Sequence, residues 1–111
     1  MSESVCTINK SGNKYWENSN GLFHRTDGPA VECANGDKWW YFNGQRHRTD
    51  GPAIQWADGY KAWYFNGQRH RTDGPAIQYT SGKKEYWYKG ERTSKDKYYS
   101  DEFQVRMVMQ S

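Results

Sequence analysis

Polar and apolar residues alternate along this chain in short runs, and glycine interrupts them about every eight residues. Alternation has the period of a β-strand, whose side chains point to opposite faces in turn. A helix suits neither the pattern nor so many glycines. Two kinds of run recur. The first is short, at Ala30 to Cys33, Ala53 to Trp56 and Ala76 to Tyr79. The second is aromatic, at Lys38 to Phe42, Lys61 to Phe65 and Lys84 to Tyr88. Asn35-Gly36, Asp58-Gly59 and Ser81-Gly82 separate them. Asn-Gly and Asp-Gly suit a type I′ turn, in which both central residues need positive φ. Each unit thus reads as a β-hairpin, followed by another turn at Asn43-Gly44, Asn66-Gly67 or Lys89-Gly90. Alternation then places Val31, Cys33, Ile54, Trp56, Ile77 and Tyr79 on one face with Trp40, Phe42, Trp63, Phe65, Tyr86 and Tyr88. The other face carries Ala30, Glu32, Ala53, Gln55, Ala76 and Gln78, with Tyr41, Tyr64 and Trp87 as a second aromatic row.

The hairpins recur because the sequence does. "HRTDGPA" occurs three times, so that Asp27, Asp50 and Asp73 are 23 residues apart. The stretches that follow, "GPAVECANGDKWWYFNG", "GPAIQWADGYKAWYFNG" and "GPAIQYTSGKKEYWYKG", align without gaps. A fainter copy, "VCTINKSGNKYWENSNG", matches Gly12 to Gly36 and Trp16 to Trp40. About four repeats result, at roughly 1–23, 24–46, 47–69 and 70–92. The expected architecture is all-β, a meandering antiparallel sheet of 23-residue hairpin repeats in one domain spanning 1–111. The heptapeptide connects one hairpin to the next. Its Gly28-Pro29, Gly51-Pro52 and Gly74-Pro75 open a strand, where proline's missing N–H does least harm.

After Gly90 the pattern stops, and 93–111 is expected to cap the sheet. Ser100 before Asp101-Glu102 has the form of a helix N-cap with acids in the first turn. Phe103 and Met107 lie four residues apart, as do Val105 and Met109. Strict alternation over the same positions also suits a strand. The cap signal favours a short C-terminal helix covering the open end or the apolar face of the sheet.

Composition fits this picture. Hydrophobic residues make up only 34% of the chain, yet 17% are aromatic, and leucine occurs once. Aromatic residues with many glycines favour a sheet over a helical bundle. The net charge of +3 is mild and mixed, unlike the basic field of a nucleic-acid binder. No apolar run could span a membrane and no signal peptide opens the sequence, so a cytoplasmic location is expected. Cys6 and Cys33 lack CxxC spacing and read as reduced thiols, although pairing stays open.

The unit "WYFNGQRHRTDGPAIQWADGYKA" resembles a variant MORN repeat over roughly Val5 to Gly90. It departs from that family at "RTDGPA", where the typical repeat has a simpler glycine pattern. The His-Arg-x-Asp-Gly-Pro-Ala form resembles small proteins of bacteriophages and some bacteria, including antitoxin-like ones. The resemblance implies a binding sheet with no catalytic residue and no cofactor. If phage-encoded, the chain would work in the host cytoplasm.

The heptapeptide nevertheless holds every histidine, with an arginine, a hydroxyl and a carboxylate beside each. A general base needs a unique environment. His24, His47 and His70 instead recur at two strand spacings, roughly 10 Å apart, too far to share a zinc ion with bonds of about 2 Å. A structural role is expected. Asp27, Asp50 and Asp73 should accept from turn amides, and Arg25, Arg48 and Arg71 should pair with them or with the previous repeat. Tyr41, Tyr64 and Trp87, with Arg48 and Arg71, are the candidate partner-binding residues. Tyr, Trp and Arg are enriched at protein interface hot spots. Aromatics near cations could also stack single-stranded bases. A protein partner, such as a host bacterial protein, is the leading expectation. Nucleic acid and a homodimer through an exposed edge are the alternatives.

Overall fold

The computed structural model describes residues 4–110. It is a meander of antiparallel hairpins ending in a short helical segment. Strands β1 (Val5–Ile8), β2 (Lys14–Glu17), β3 (Val31–Glu32), β4 (Lys38–Trp39), β7 (Ile54–Gln55), β8 (Lys61–Ala62), β11 (Ile77–Gln78), β12 (Lys84–Tyr88) and β13 (Glu91–Thr93) form one nine-stranded sheet, adjacent in that order. Two smaller sheets pair β5 (Tyr41–Phe42) with β6 (Gln45–Arg46) and β9 (Tyr64–Phe65) with β10 (Gln68–Arg69). The molecule extends 49 × 35 × 18 Å.

Each middle repeat therefore has two hairpins rather than one. The aromatic run changes partner at its centre. Trp40 N donates to Ala53 O in the large sheet, while Trp40 O accepts from His47 N. Trp63 does the same with Ala76 and His70. Residues before the tryptophan belong to the nine-stranded sheet, and residues after it turn back in the small hairpin. In the last repeat β12 runs unbroken and pairs with both β11 and β13.

The two Gly-containing turns are not alike. Asn43, Asn66 and Lys89 have φ near 50°, and the glycine after each is also positive, as type I′ requires. Phe42 then faces Gln45, and Tyr41 faces Arg46. At the first turn only the glycine, such as Gly36 at 102°, has positive φ. Gly36 N donates to Cys33 O and Cys33 N to Asp37 O, the pattern of a three-residue loop with a glycine bulge. The expected two-residue turn at Asn35-Gly36, Asp58-Gly59 and Ser81-Gly82 is thus corrected to three residues.

That extra residue moves the register by one, and a one-residue slip exchanges the faces. Val31 faces Trp39 rather than Trp40, and Ile54 and Ile77 both face Ala62. The apolar row runs through Tyr15, Val31, Trp39, Ile54, Ala62 and Ile77 to Glu85. The opposite row is Lys14, Glu32, Lys38, Gln55, Lys61, Gln78 and Lys84. Tyr64, two residues beyond Ala62, therefore joins the core of Ala53, Ile54, Ala62 and Ile77, with Trp39, Trp40, Tyr60, Tyr79 and Trp87 packed around it. The expected grouping of Phe42, Trp63 and Phe65 with the isoleucines is overturned, whereas Trp40 packs against their cluster. Phe42 and Phe65 are 45% and 43% exposed. Ala30, Ala53 and Ala76 are fully buried.

The C-terminal segment forms α1 (Lys95–Tyr98), capped by Ser94, and α2 (Asp101–Gln110). Phe103 N donates to Ser100 Oγ, so Ser100 caps α2 as its sequence predicts. Phe103 and Met107 are buried with Tyr86, Tyr88 and Tyr98 against the last repeat, whereas Val105 and Met109 are exposed.

Candidate binding surfaces

The three heptapeptides are built alike. Each histidine accepts a hydrogen bond at Nδ1 from the first residue of the next type I′ turn: His24 from Asn43 N at 3.0 Å, His47 from Asn66 N at 3.0 Å, and His70 from Lys89 N at 2.9 Å. The ring proton then sits on Nε2. The rings alternate with the aromatics of the small hairpins, in the order His24, Phe42, His47, Phe65, His70, Tyr88, with centroids 4.6–6.0 Å apart. Phe103 of α2 extends the stack beyond Tyr88. For His70, burial and then the Lys89 charge push the imidazole below its ordinary 6.5.

Each arginine is held on every side. Arg25, Arg48 and Arg71 stack on Trp16, Trp40 and Trp63 at 3.8–3.9 Å. Nε donates to the aspartate two residues later at 2.8 Å, and a terminal nitrogen donates to the proline carbonyl at 3.0–3.1 Å. The glycine between them leaves room for the guanidinium. A Cβ on Gly51 would stand 2.9 Å from Arg48 Cζ. Asp27, Asp50 and Asp73 thus take the arginine as their partner, and the Asx role expected of them falls to Asn9, Asn18, Asn35 and Asp58. The arginine hydrogen bonds hold the Asp27 and Asp50 carboxyls below their ordinary 3.8. Among the described residues, no three His, Cys, Asp or Glu side chains are placed to hold a metal ion. Cys6 and Cys33 are both free.

The guanidinium groups of Arg48 and Arg71 stack on Trp40 and Trp63 rather than on the aromatic row, although their backbone N–H groups donate to Tyr64 O and Trp87 O. Tyr41 is half-buried, Tyr64 buried and Trp87 half-buried. The cations beside them are Arg46 and Arg69, which the sequence reading passed over. Arg46 lies 5.4 Å from the Tyr64 ring centroid, and Arg69 lies 4.8 Å from that of Trp87. Arg69 Nε also donates to Tyr64 Oη at 3.2 Å. The pairing is cross-strand: Tyr41 with Arg46, Tyr64 with Arg69 and Trp87 with Arg92. Reading Asn43-Gly44 as a two-residue hairpin would have exposed this pattern. Glu85 closes the row, accepting from Trp87 Nε1 and Tyr79 Oη. Burial opposes its ionisation, but these hydrogen bonds together with the Arg92 and Lys83 charges hold its pKa below the usual value.

Two grooves lie between successive heptapeptides. One, of about 500 Å³, is lined by Arg25, Thr26, Gly28, Trp40, Phe42 and residues of the second heptapeptide. Its equivalent one repeat later, of about 620 Å³, is lined by Arg48, Thr49, Gly51, Trp63, Phe65 and residues of the third. Comparison with protein-family models, curated proteins and solved structures finds no match for this chain, so the functional reading rests on these surfaces and the motif resemblance.

Proposed function

We propose that this chain is a non-catalytic protein-binding repeat protein. The observation that carries the reading is the row of cross-strand aromatic–arginine pairs, in which half-buried Tyr41 and Trp87 face Arg46 and Arg92, and Tyr64, buried in the core, holds Arg69 through its hydroxyl. Aromatic residues and arginine are enriched at interface hot spots. A sheet that is already ordered loses little entropy on binding. The histidines and arginines of "HRTDGPA" are engaged in holding the repeats together, which favours a scaffold over an active site.

The resemblance of that heptapeptide to bacteriophage proteins supports a more specific role. The chain would act in the host cytoplasm as an accessory or counter-defence inhibitor of a host bacterial protein. An antitoxin-like neutraliser of a toxin is the neighbouring reading. The same arginine-flanked aromatics also favour single-stranded nucleic acid as an alternative ligand.

Capture from bacterial lysate, with and without nuclease, tests the choice. The expected outcome is one defined protein retained after nuclease and lost with the double variant Arg69→Ala, Trp87→Ala. Loss of every partner on nuclease treatment, with a steep salt dependence, would assign the surface to nucleic acid. A reaction abolished by changing one histidine but not the other two would overturn the non-catalytic reading.

A further inference from the structure

The nine-stranded sheet ends differently at its two sides. At the C-terminal end, Tyr98, Phe103 and Met107 pack on the last hairpin. At the N-terminal end β1 has β2 as its one neighbouring strand, and all four of its residues are exposed. β1 stays in register with β2 over four residue pairs, whereas each junction from β2 to β12 holds two. It therefore offers a longer regular edge than the strands inside the sheet. Exposed edges are usually blunted by lysine, proline or a bulge. The run "VCTI" has no charge and no proline, and it pairs with β2 without a bulge. Val5 and Ile8 are the most exposed of its apolar side chains.

The ladder fixes which backbone groups point outward. Trp16 N donates to Ala30 O and Trp16 O accepts from His24 N, so both groups of Trp16 point away from β1. Cys6 lies opposite Trp16 and is thus a non-hydrogen-bonded pair with it. Asn9 N donates to Asn13 O, which ties Asn9 rather than Ile8 to the hairpin. By this alternation Ser4, Cys6 and Ile8 direct their N–H and C=O to the outside. Among the described residues, no strand lies beyond them.

We propose that β1 is a homodimer interface, on which β1 of a second copy pairs antiparallel about a two-fold axis at Cys6. The strand is its own complement in this register. Cys6 faces Cys6 and Ser4 faces Ile8, and each such pair exchanges two backbone hydrogen bonds. Val5 stands beside Thr7, and no charged side chain of β1 faces another. Any other two-fold register leaves an outward position between 4 and 8 without a counterpart in that stretch. The contact uses the same patch on both copies and closes at two. It joins two nine-stranded sheets into one, with the apolar row on the same side in both. The paired edge is short, so the dimer is expected to be weak, with micromolar dissociation. This inference goes beyond the protein-binding reading and does not depend on it.

The test is sedimentation equilibrium of the full chain in reducing buffer, so that a disulfide does not stand in for the sheet. The expected result is a monomer–dimer equilibrium that shifts with concentration. Cys6→Lys and Cys6→Glu each place like charges about 5.5 Å apart across the axis. Each should weaken the dimer several-fold, and an equimolar mixture of the two should restore it. Cys6 is exposed, so both variants should melt as wild type does. Should either fail to fold, Cys6→Pro removes only an outward N–H and should also abolish the dimer. A wild-type chain that stays monomeric into the millimolar range overturns the proposal. So does a dimer that Cys6→Lys leaves intact, or a mixture that recovers nothing. A dimer with no protein captured from lysate would keep this inference and remove the protein-binding reading. A captured protein with a strictly monomeric chain would do the opposite.

Discussion

At the scale of single residues, the heptapeptide "HRTDGPA" is a junction in which the histidine, the arginine and the aspartate are each tied to neighbours. Arg48 has its guanidinium against Trp40 and donates to Asp50 and to the Pro52 carbonyl. The Asp50 carboxylate is exposed, so solvent screens the ion pair and it contributes little. Stacking and the planar fork matter more, and lysine reproduces neither. Arg48→Lys is expected to destabilise the fold by about 1–2 kcal/mol in denaturant melts. Tyr64 was a candidate contact residue in the sequence, but it is 7% exposed in the core. Tyr64→Ala should cost about 3 kcal/mol or more, whereas Trp87→Ala, at a half-buried site, should cost less and be the better probe of binding. His70 allows a pH test. Its folded pKa lies below the ordinary 6.5, so the unfolded chain takes up the proton first as pH falls. The stability it contributes is present above about pH 6.5 and is lost below it. The melting temperature should therefore drop on acidification through that range. His70→Asn, which keeps an acceptor near the Nδ1 position, should flatten the drop.

At the scale of elements, two similar dipeptides form two different turns. Asn35-Gly36 belongs to a three-residue bulged loop and Asn43-Gly44 to a two-residue type I′ turn. Turn positions were legible because glycine and asparagine mark them. Register was not, because both loops accept Asn-Gly and differ only in how many residues remain unpaired. One residue of difference moved Tyr64 inside and Phe65 outside. Gly59, at φ 103°, meets a conformation that β-branched residues reject, and Gly59→Val should cost about 2 kcal/mol or abolish folding. Lys89 is the opposite case. It holds φ 50° at the place where Asn43 and Asn66 stand in the earlier turns. Lys89→Asn should raise stability by roughly 0.5–1 kcal/mol, measured as a higher melting temperature. No gain there would mean that the lysine side chain, which lies over the Tyr88 ring, offsets its own strain.

For the whole molecule, the ends are treated differently. The N-terminal edge strand β1 leaves Val5 and Ile8 71% and 61% exposed. The C-terminal end is closed by α1 and α2, which bury Tyr86 and Tyr88 beneath Tyr98, Phe103 and Met107. Truncation after Thr93 should uncover those rings and promote self-association, seen by size-exclusion chromatography. The helix over 100–109 was legible in the Ser100 cap and the Phe103/Met107 spacing, but the single turn of α1 was not, because four residues carry no periodicity. The 23-residue period, the hairpin architecture and the turn sites follow from local chemistry: alternation, glycine spacing and proline placement act within a few residues. Tertiary structure alone decided which face is core, which arginines meet the aromatic row, and that Tyr98 plugs a junction 24 residues away. Those outcomes depend on register and on contacts between distant segments, and a local pattern carries no information about which of several compatible pairings buries the most surface.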